Sequence, residues 1–145
     1  KQPSPSRMRA TFLALLLSLA SLVHADPPGV PDPVPGAVQS SVKEISPQQL
    51  AALLSNNTLF IFDCNEEDMY AEAHVPGAKL IVFDQITADK LPADMNATLV
   101  FYCYSPECPA GGTAARTALE LGHVDVYCMS AGITGWQDAE LKTEP

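Results

Sequence analysis

The stretch from Leu99 to Arg116, LVFYCYSPECPAGGTAAR, decides how the rest of this 145-residue chain is interpreted. Four apolar residues of strand type lead to Cys103, a loop marked by Pro and Gly follows, and an alanine-rich helical pattern comes next. The N–H groups of such a loop, and of the start of a helix, stabilise a thiolate and lower the pKa of its thiol. Cys103 is therefore the candidate nucleophile.

Apolar runs of strand type alternate with helical patterns on both sides of this stretch. Ser46-Pro47-Gln48-Gln49 fits a capping box at the start of the first helix. The alternation predicts an α/β fold with a mainly parallel sheet and helices on both faces, and a site at the carboxyl ends of the strands, where Cys103 falls. Strands are predicted at 42–45, 59–62, 80–83, 99–102 and 124–129, and helices at 47–55, 66–73, 84–90, 112–121 and 132–141.

The N-terminal region has the pattern of an export signal. A positive start at Met8-Arg9 leads into an apolar run of about a dozen residues and a small residue at Ala25, which predicts a signal peptide over 8–25. The alternative, a membrane anchor, needs roughly 20 apolar residues. Residues 1–7 are interpreted as upstream or added sequence, 26–40 as a Pro-rich linker and 41–145 as the folded domain. We therefore expect an exported protein, periplasmic or secreted, without a stable membrane anchor.

The charge distribution limits the classes of partner. The formal net charge is -9, but three of the eight basic residues precede the apolar run, so 5 basic and 17 acidic residues follow it. Such a surface repels phosphate backbones, and we expect no nucleic-acid binding. The sequence contains no motif for a nucleotide, flavin or haem, and we predict no cofactor.

Four motifs follow one another along the chain. They are Asp63 at the end of a strand, His74-Val75-Pro76-Gly77-Ala78, Tyr102-Cys103 before a loop and helix, and Gly132-Ile133-Thr134-Gly135-Trp136. In this order they resemble the single-domain rhodanese-like (thiosulfate sulfurtransferase) family over about residues 42 to 141. The resemblance implies a five-stranded parallel sheet and a nucleophile matching Cys103, which accepts a sulfane sulfur as a persulfide and passes it to another nucleophile.

The chain also departs from the common pattern of that family. Ala114 lies eleven positions after Cys103, a longer spacing than usual, and Asn65 stands where an arginine commonly follows the strand-ending aspartate. Glu107 and the missing arginine disfavour a doubly charged donor such as thiosulfate. A related phosphatase activity is excluded, because its arginine position holds Pro109. The pattern resembles an exported subgroup with a second cysteine, here Cys108, in the active-site loop.

Cys108 has three open roles: it resolves an oxidised or persulfidated Cys103 through a disulfide, coordinates a metal with it, or accepts sulfur itself. A zinc site of Cys103, Cys108 and a histidine matches no standard ligand spacing, and we predict no metal. Asp63 either orients the active-site loop or caps the helix that follows Asn65, and His74 fixes its turn by a hydrogen bond. The other predicted loop residues are Tyr104, Ser105, Pro106, Glu107, Pro109, Ala110, Gly111 and Gly112.

The remaining cysteines and histidines have structural interpretations. Cys128 lies within an apolar strand and is predicted to be a core residue, as is Trp136. Cys64 lies at a strand end and approaches Cys103 if the two strands are neighbours. His123 follows a helix-ending glycine and is predicted at the surface.

Three functions are compatible with these residues. The leading hypothesis is a sulfurtransferase that carries a sulfane sulfur on Cys103, with a small sulfur donor, a thiol or cyanide acceptor, and a thioredoxin-like reductant as a further candidate partner. The second is a thiol–disulfide redox protein in which Cys103 and Cys108 cycle. The third is a catalytically inactive binding module with the same fold.

Overall fold

The computed structural model describes residues 41–145, so the predictions for residues 1–7, for the signal peptide at 8–25 and for the linker at 26–40 lie outside the described residues. Within the described part of the chain, no helix combines the length and the apolar character that a membrane span requires. The elements are β1 Lys43–Glu44, α1 Pro47–Leu53, β2 Leu59–Asp63, α2 Glu67–Glu72, β3 Lys79–Leu80, a 3-10 helix at Ala88–Lys90, β4 Thr98–Tyr102, α3 Ala110–Glu120, β5 Asp125–Met129 and α4 Gly132–Asp138.

The five strands form one parallel sheet in the order β1-β5-β4-β2-β3. This confirms the predicted α/β class and the mainly parallel sheet. The central strand β4 lies between β2 and β5, and its residues Leu99 to Tyr102 are all 0% exposed. Full burial explains why this strand is apolar throughout, because a parallel strand covered on both faces has no solvent side.

Alternating residues of β4 point into two separate cores on the two faces of the sheet. Leu99, Phe101 and then Cys103 lie in the core that contains the alanines of α3. Val100 and Tyr102 lie in the other core, with Leu50 and Trp136. Each large side chain that is fully buried in these layers contributes about 1.5–3 kcal/mol. Cys103 therefore belongs to the α3 side of the sheet.

The capping box predicted at Ser46 is confirmed. The Oγ of Ser46 accepts from the N–H of Gln49 at 3.2 Å, and the N–H of Ser46 donates to Oε1 of Gln49 at 2.9 Å. Pro47 occupies the first helical position, where its missing N–H costs no intrahelical bond. These contacts fix the start of α1.

The predicted strand at 80–83 is wrong beyond Leu80. β3 pairs only with β2, and their register ends with Asp63 opposite Leu80. Because β2 stops at Asp63, the edge strand has no partner for a longer ladder, and Val82 and Phe83 are 50% and 37% exposed. The apolar run continues past the strand as a loop.

The helix boundaries also differ from the prediction, by one or two residues at α1 and α2 and in three further places. The helix expected over 84–90 is reduced to a 3-10 turn at Ala88–Lys90, and α4 ends at Asp138 instead of residue 141. α3 begins at Ala110, two residues before the predicted Gly112. A Cβ at Gly111 would lie 3.0 Å from Cα of Tyr102, so Gly111 is needed for close packing of the helix on β4 despite its low helix propensity.

His123 is 2% exposed, so its predicted surface position is wrong. Gly122 adopts φ +104 at the end of α3 and turns the chain inward. The His123 N–H then donates to the carbonyl of Ala118 at 3.1 Å. Burial lowers the pKa of His123 and favours the neutral ring.

Candidate active site

The backbone around Cys103 is held by the start of α4. The carbonyl of Cys103 accepts from the N–H of Ile133 at 2.9 Å, and the carbonyl of Tyr104 accepts from the N–H of Thr134 at 3.0 Å. Gly132 makes this approach possible, because it adopts φ +66 and a Cβ there would overlap the carbonyl of Tyr104. The Gly-Ile-x-x-Trp segment thus positions the candidate nucleophile.

Cys103 and Cys108 form a disulfide with a Cα–Cα distance of 6.1 Å. Of the roles that the sequence leaves open for Cys108, the structure contains the disulfide. Over residues 41–145, no three His, Cys, Asp or Glu side chains are arranged to hold a metal ion. In this state neither sulfur is a nucleophile, so attack by Cys103 on a substrate begins with reduction of the disulfide.

The loop between the two cysteines is mostly exposed. Its backbone makes one turn, in which the N–H of Cys108 donates to the carbonyl of Ser105 at 3.0 Å. The Ser105 hydroxyl donates to Glu107 Oε2 at 2.6 Å, and this bond lowers the pKa of the Glu107 carboxyl. Tyr104, Pro106, Glu107 and Pro109 are exposed, whereas Ala110 and Gly111 at the start of α3 are buried.

Asp63 supports the site through a buried hydrogen-bond network that matches neither predicted role. Its Oδ2 accepts from the Tyr102 hydroxyl at 2.6 Å, and its Oδ1 accepts from the Asn65 N–H at 2.8 Å. The Tyr102 hydroxyl also accepts from the Val75 N–H at 3.0 Å. Asp63 therefore joins β2, β4 and the Val-Pro-Gly-Ala turn, while α2 begins later, at Glu67.

The same burial changes the acidities in this network. Desolvation raises the pKa of the Asp63 carboxyl, and the hydrogen bonds from Tyr102 and Asn65 oppose that shift. Burial and the neighbouring Asp63 raise the pKa of the Tyr102 phenol far above its usual range. The phenol stays protonated and remains the donor to Asp63.

His74 has the predicted positioning role. Its ring stacks on Tyr70 with centroids 3.9 Å apart, and its Nδ1 donates to the carbonyl of Tyr70 at 2.9 Å. The backbone N–H of His74 donates to the backbone carbonyl of Glu144 at 2.8 Å. These bonds hold the turn and leave His74 outside both cavities described next.

Two cavities meet at the disulfide. The smaller, about 220 Å³, has Arg116, Ser130 and Cys128 in its wall, together with the loop and the first turn of α3. The larger, about 450 Å³, has a mostly apolar wall that includes Met69, Phe83 and Tyr104. Both cavities are lined by Cys103 and Cys108. The smaller cavity is also lined by Ser105, Pro106, Pro109, Gly111, Gly112 and Met129. The larger cavity is also lined by Cys64, Asn65, Glu66, Pro109 and Ala110.

The end of β2 approaches the Cys103 sulfur, as predicted for neighbouring strands. Cys103 Sγ lies 4.0 Å from the carbonyl oxygen of Cys64 and 3.6 Å from Oδ1 of Asn65. Asn65 stands at the position of the usual arginine, and its amide offers either an oxygen or an NH₂ group to the sulfur, depending on its rotation. Asn65 can therefore accept from a thiol or donate to a thiolate.

Sequence reasoning missed Arg116 as a site residue. Gly112 and Arg116 are four residues apart in α3 and thus share a helix face, which was the available signal. Ser130 was also missed, although it directly follows the strand predicted at 124–129 and so lies at the carboxyl edge of the sheet, where the site was expected. Met69 and Phe83 were missed because a single sequence does not show how the segments after β2 and β3 fold over that edge. Cys128, predicted as core, is 8% exposed and also forms part of the smaller cavity.

A family model for the rhodanese-like domain matches residues 46–139. The chain belongs to the rhodanese-like domain family. It is 29% identical over 97 residues to the thiosulfate sulfurtransferase GlpE of Pseudoalteromonas translucida, covering 67% of this chain and 90% of the relative. It is 30% identical over 98 residues to the GlpE protein of Pseudomonas fluorescens, covering 68% and 87%. These matches confirm the prediction of a rhodanese-type sulfurtransferase at the level of the enzyme class.

Solved structures confirm the rhodanese fold. The BH2092 protein of Bacillus halodurans superposes with a TM-score of 0.64 at 22% identity, over 70% of this chain and 76% of that one. A thiosulfate sulfurtransferase from Pseudomonas aeruginosa has a TM-score of 0.62 at 26% identity, over 73% of this chain and 20% of that longer one. What the chain shares with these structures is the α/β fold with its parallel sheet.

Proposed function

We propose that this protein transfers a sulfane sulfur, from thiosulfate or a related donor to a thiol or cyanide, through a persulfide on Cys103. The observation that carries the proposal is the position of the Cys103 sulfur at the end of β4, where two cavities meet. The fixed backbone of Cys103 supports it, because a nucleophile must keep its geometry between two substrates.

The cycle begins with reduction of the Cys103–Cys108 disulfide by an external dithiol, which becomes a disulfide. The Cys103 thiolate then attacks the outer sulfur of the donor, whose S–S bond breaks, and sulfite leaves with the bonding electron pair. The acceptor attacks the outer sulfur of the resulting persulfide, and Cys103 leaves as a thiolate. The product is thiocyanate from cyanide, or a new persulfide from a thiol.

The smaller cavity has the chemistry for the anionic donor. Arg116 supplies a permanent positive charge, and the first N–H groups of α3, an 11-residue helix, have no partner within the helix. The larger, apolar cavity reaches the same sulfur from the other side and suits the acceptor. Glu107 opposes anion binding, since it carries a negative charge on the loop.

We propose further that the protein acts after export, in a periplasmic or extracellular compartment, with a thioredoxin-like dithiol as the reductant. The support is the Cys103–Cys108 disulfide itself, because such bonds persist mainly in oxidising compartments. N-terminal sequencing of the protein recovered from its host tests this. A mature chain that starts at Asp26 is expected, and retention of Met8 would contradict export.

The test of the sulfur transfer is the intact mass of the reduced chain after thiosulfate, with a parallel cyanide-to-thiocyanate assay. We expect a gain of one sulfur, about 32 Da, that disappears on adding cyanide. Cys103→Ser should lose both the mass gain and the activity, whereas Cys108→Ser should keep them. Activity of Cys103→Ser equal to that of the parent would overturn the proposal.

The disulfide favours a second candidate, a thiol–disulfide redox protein. In that function Cys103 and Cys108 exchange two electrons with a partner dithiol, and no sulfur is carried. The same experiment separates the two, since redox cycling changes the mass by about 2 Da and requires both cysteines. No sulfur gain in the reduced parent, combined with a reversible two-electron potential, would favour this candidate.

A further inference from the structure

Three cysteines surround one cavity. Cys64, Cys103 and Cys108 all contribute to the wall of the larger cavity. Cys103 and Cys108 form the disulfide, while Cys64 is a buried free thiol. Neither the sulfur transfer nor the redox cycle described above uses Cys64.

The register of the sheet places Cys64 directly beside Cys103. Phe62 pairs with Phe101 and Asp63 with Tyr102. The pairing continues one residue further, because the Cys64 N–H donates to the carbonyl of Tyr102 at 2.8 Å. Neighbouring parallel strands lie about 4.8 Å apart, within the Cα separation of about 4.4–6.8 Å that a disulfide spans.

The side chains of the pair lie on one face of the sheet. Phe62 and Phe101, two residues before Cys64 and Cys103, stack with ring centroids 5.0 Å apart. Side chains two residues apart in a strand share a face, and both cysteines belong to the same core as these rings. Cys103 Sγ is already 4.0 Å from the carbonyl oxygen of Cys64.

The other free cysteine is a natural comparison. Cys128 is as buried as Cys64, with 8% and 7% exposed respectively. In the register of β4 and β5, however, Cys128 lies opposite Phe101, two residues before Cys103. Diagonal neighbours of this kind are about 7–8 Å apart, beyond the usual Cα range for a disulfide. Only Cys64 is in register with Cys103.

We propose that Cys64 is an alternative disulfide partner of Cys103. In this exchange the Cys64 sulfur attacks Cys103 Sγ, and the Cys103–Cys108 bond breaks. The electron pair leaves with the Cys108 sulfur, which takes up the proton that Cys64 has lost. The chain keeps one disulfide throughout, so the step consumes no oxidant and no reductant.

The exchange removes the disulfide that links the two ends of the active-site loop. Cys108 lies on the exposed half of the loop, and it becomes a free thiol while Cys103 stays protected from over-oxidation. Burial and the Asp63 carboxyl raise the pKa of the Cys64 thiol to about 12. Cys64 is therefore protonated at neutral pH, and the exchange is slow compared with attack by a free thiolate.

The direct test uses the full-length chain with Cys108→Ser. The reduced variant is treated with diamide, a two-electron thiol oxidant, then quenched in acid, alkylated and mapped by mass spectrometry. We expect a monomer that has lost about 2 Da, with Cys64 and Cys103 linked and at least about ten-fold more of this bond than of Cys103–Cys128. A dominant Cys103–Cys128 bond, or no intramolecular disulfide, would overturn the proposal.

Two double variants serve as controls. The double variant Cys64→Ala/Cys108→Ser should form no disulfide at Cys103. The double variant Cys128→Ala/Cys108→Ser should still form the Cys64–Cys103 disulfide. The substitutions remove the same group from similarly buried positions, so a difference between them reports on register and not on burial.

A second measurement tests the exchange in the unsubstituted protein. The chain with the Cys103–Cys108 disulfide and the Cys64 thiol free is incubated with a maleimide under native conditions, and we expect slow labelling of Cys108 with Cys103 unlabelled. Cys64→Ala should abolish that labelling. Formation of Cys64–Cys103 in the variant without labelling of Cys108 in the parent would overturn the exchange.

This inference shares Cys103 and the Cys103–Cys108 bond with the proposed sulfur transfer, yet the two fail separately. Thiocyanate formation by reduced Cys108→Ser, without a Cys64–Cys103 bond after oxidation, would contradict the inference alone. The reverse result would contradict the sulfur transfer alone.

Discussion

The two halves of the active-site loop are held in different ways. The first half, Cys103 and Tyr104, is fixed by two backbone hydrogen bonds from α4. The second half, from Ser105 to Pro109, is more exposed and is tied back to the first mainly by the Cys103–Cys108 bond. The fold therefore positions Cys103, the proposed nucleophile, whereas the disulfide bond positions Cys108. Reduction should loosen the second half and leave the first in place.

The largest effect is expected where the first half meets α4. Gly132→Ala would push a methyl group into the carbonyl of Tyr104 and impose φ +66 on a residue with a side chain, which together should cost at least about 3 kcal/mol of unfolding free energy. Urea denaturation of the reduced chain measures this.

Gly77→Ala is the matched control for that substitution. Gly77 has φ +76 with nothing within 4 Å of an added Cβ, so only the backbone strain remains, about 1 kcal/mol. Equal losses in the two variants would show that the contact between Gly132 and Tyr104 does not hold the loop.

The next largest effect concerns Tyr102, the residue before Cys103. Tyr102→Phe removes the hydroxyl that joins Asp63 to the Val75 N–H, and the buried groups left without a partner should cost about 1–3 kcal/mol. Denaturation curves of Tyr102→Phe and of Tyr104→Phe provide the comparison. Tyr104 is 48% exposed, and its variant should stay within about 0.5 kcal/mol of the parent.

A smaller effect is expected for the proposed donor cavity. Arg116→Gln should raise the KM for thiosulfate about five- to ten-fold with little change in kcat, because it removes a positive charge from the cavity wall. Steady-state thiocyanate formation measures both constants. Lys142→Gln, a change of the same charge at an exposed position outside both cavities, is the control. A similar KM for Arg116→Gln and the parent would assign the donor to another surface.

The smallest effect should come from the second half of the loop, where a substitution should lower the KM for thiosulfate instead of raising it. Glu107→Gln should lower the KM for thiosulfate about two-fold, and raising the salt to about 0.5 M should remove the difference, because the charge is exposed. The bond from Ser105 lowers the pKa of the Glu107 carboxyl, so the carboxylate is already ionised at mildly acidic pH. The ratio of the two KM values should therefore stay constant between about pH 5.5 and 8. A ratio that changes over this interval would contradict the assignment to Glu107.

The sequence predicts the elements that position Cys103 better than it predicts the residues that line the two cavities. The capping box at Ser46, the buried strand before Cys103 and the turn at His74 follow from local patterns, and the structure confirms them. Each depends on residues close in sequence or on burial of a whole strand. The family resemblance added the chemistry expected of Cys103.

The incorrect predictions have a common physical origin in tertiary contacts. The apolar run at Val82 and Phe83 resembles a strand, but no neighbouring strand extends far enough to pair with it. The low helix propensity of Gly111 favours a loop, yet Gly111 lies in α3, where the absence of a side chain lets the helix pack closely on Tyr102. His123 is drawn inside by the turn at Gly122. Local sequence carries little information about such contacts.

The alternation of β4 separates two kinds of evolutionary change. Tyr102 and Cys103 are consecutive, yet they lie in cores on opposite faces of the sheet. Substitutions in the layer around Cys103 can alter which donor and acceptor fit, while the layer around Tyr102 continues to hold the backbone in position. Within one small domain, the fit of the proposed donor and acceptor and the placement of the Cys103 sulfur can therefore change separately.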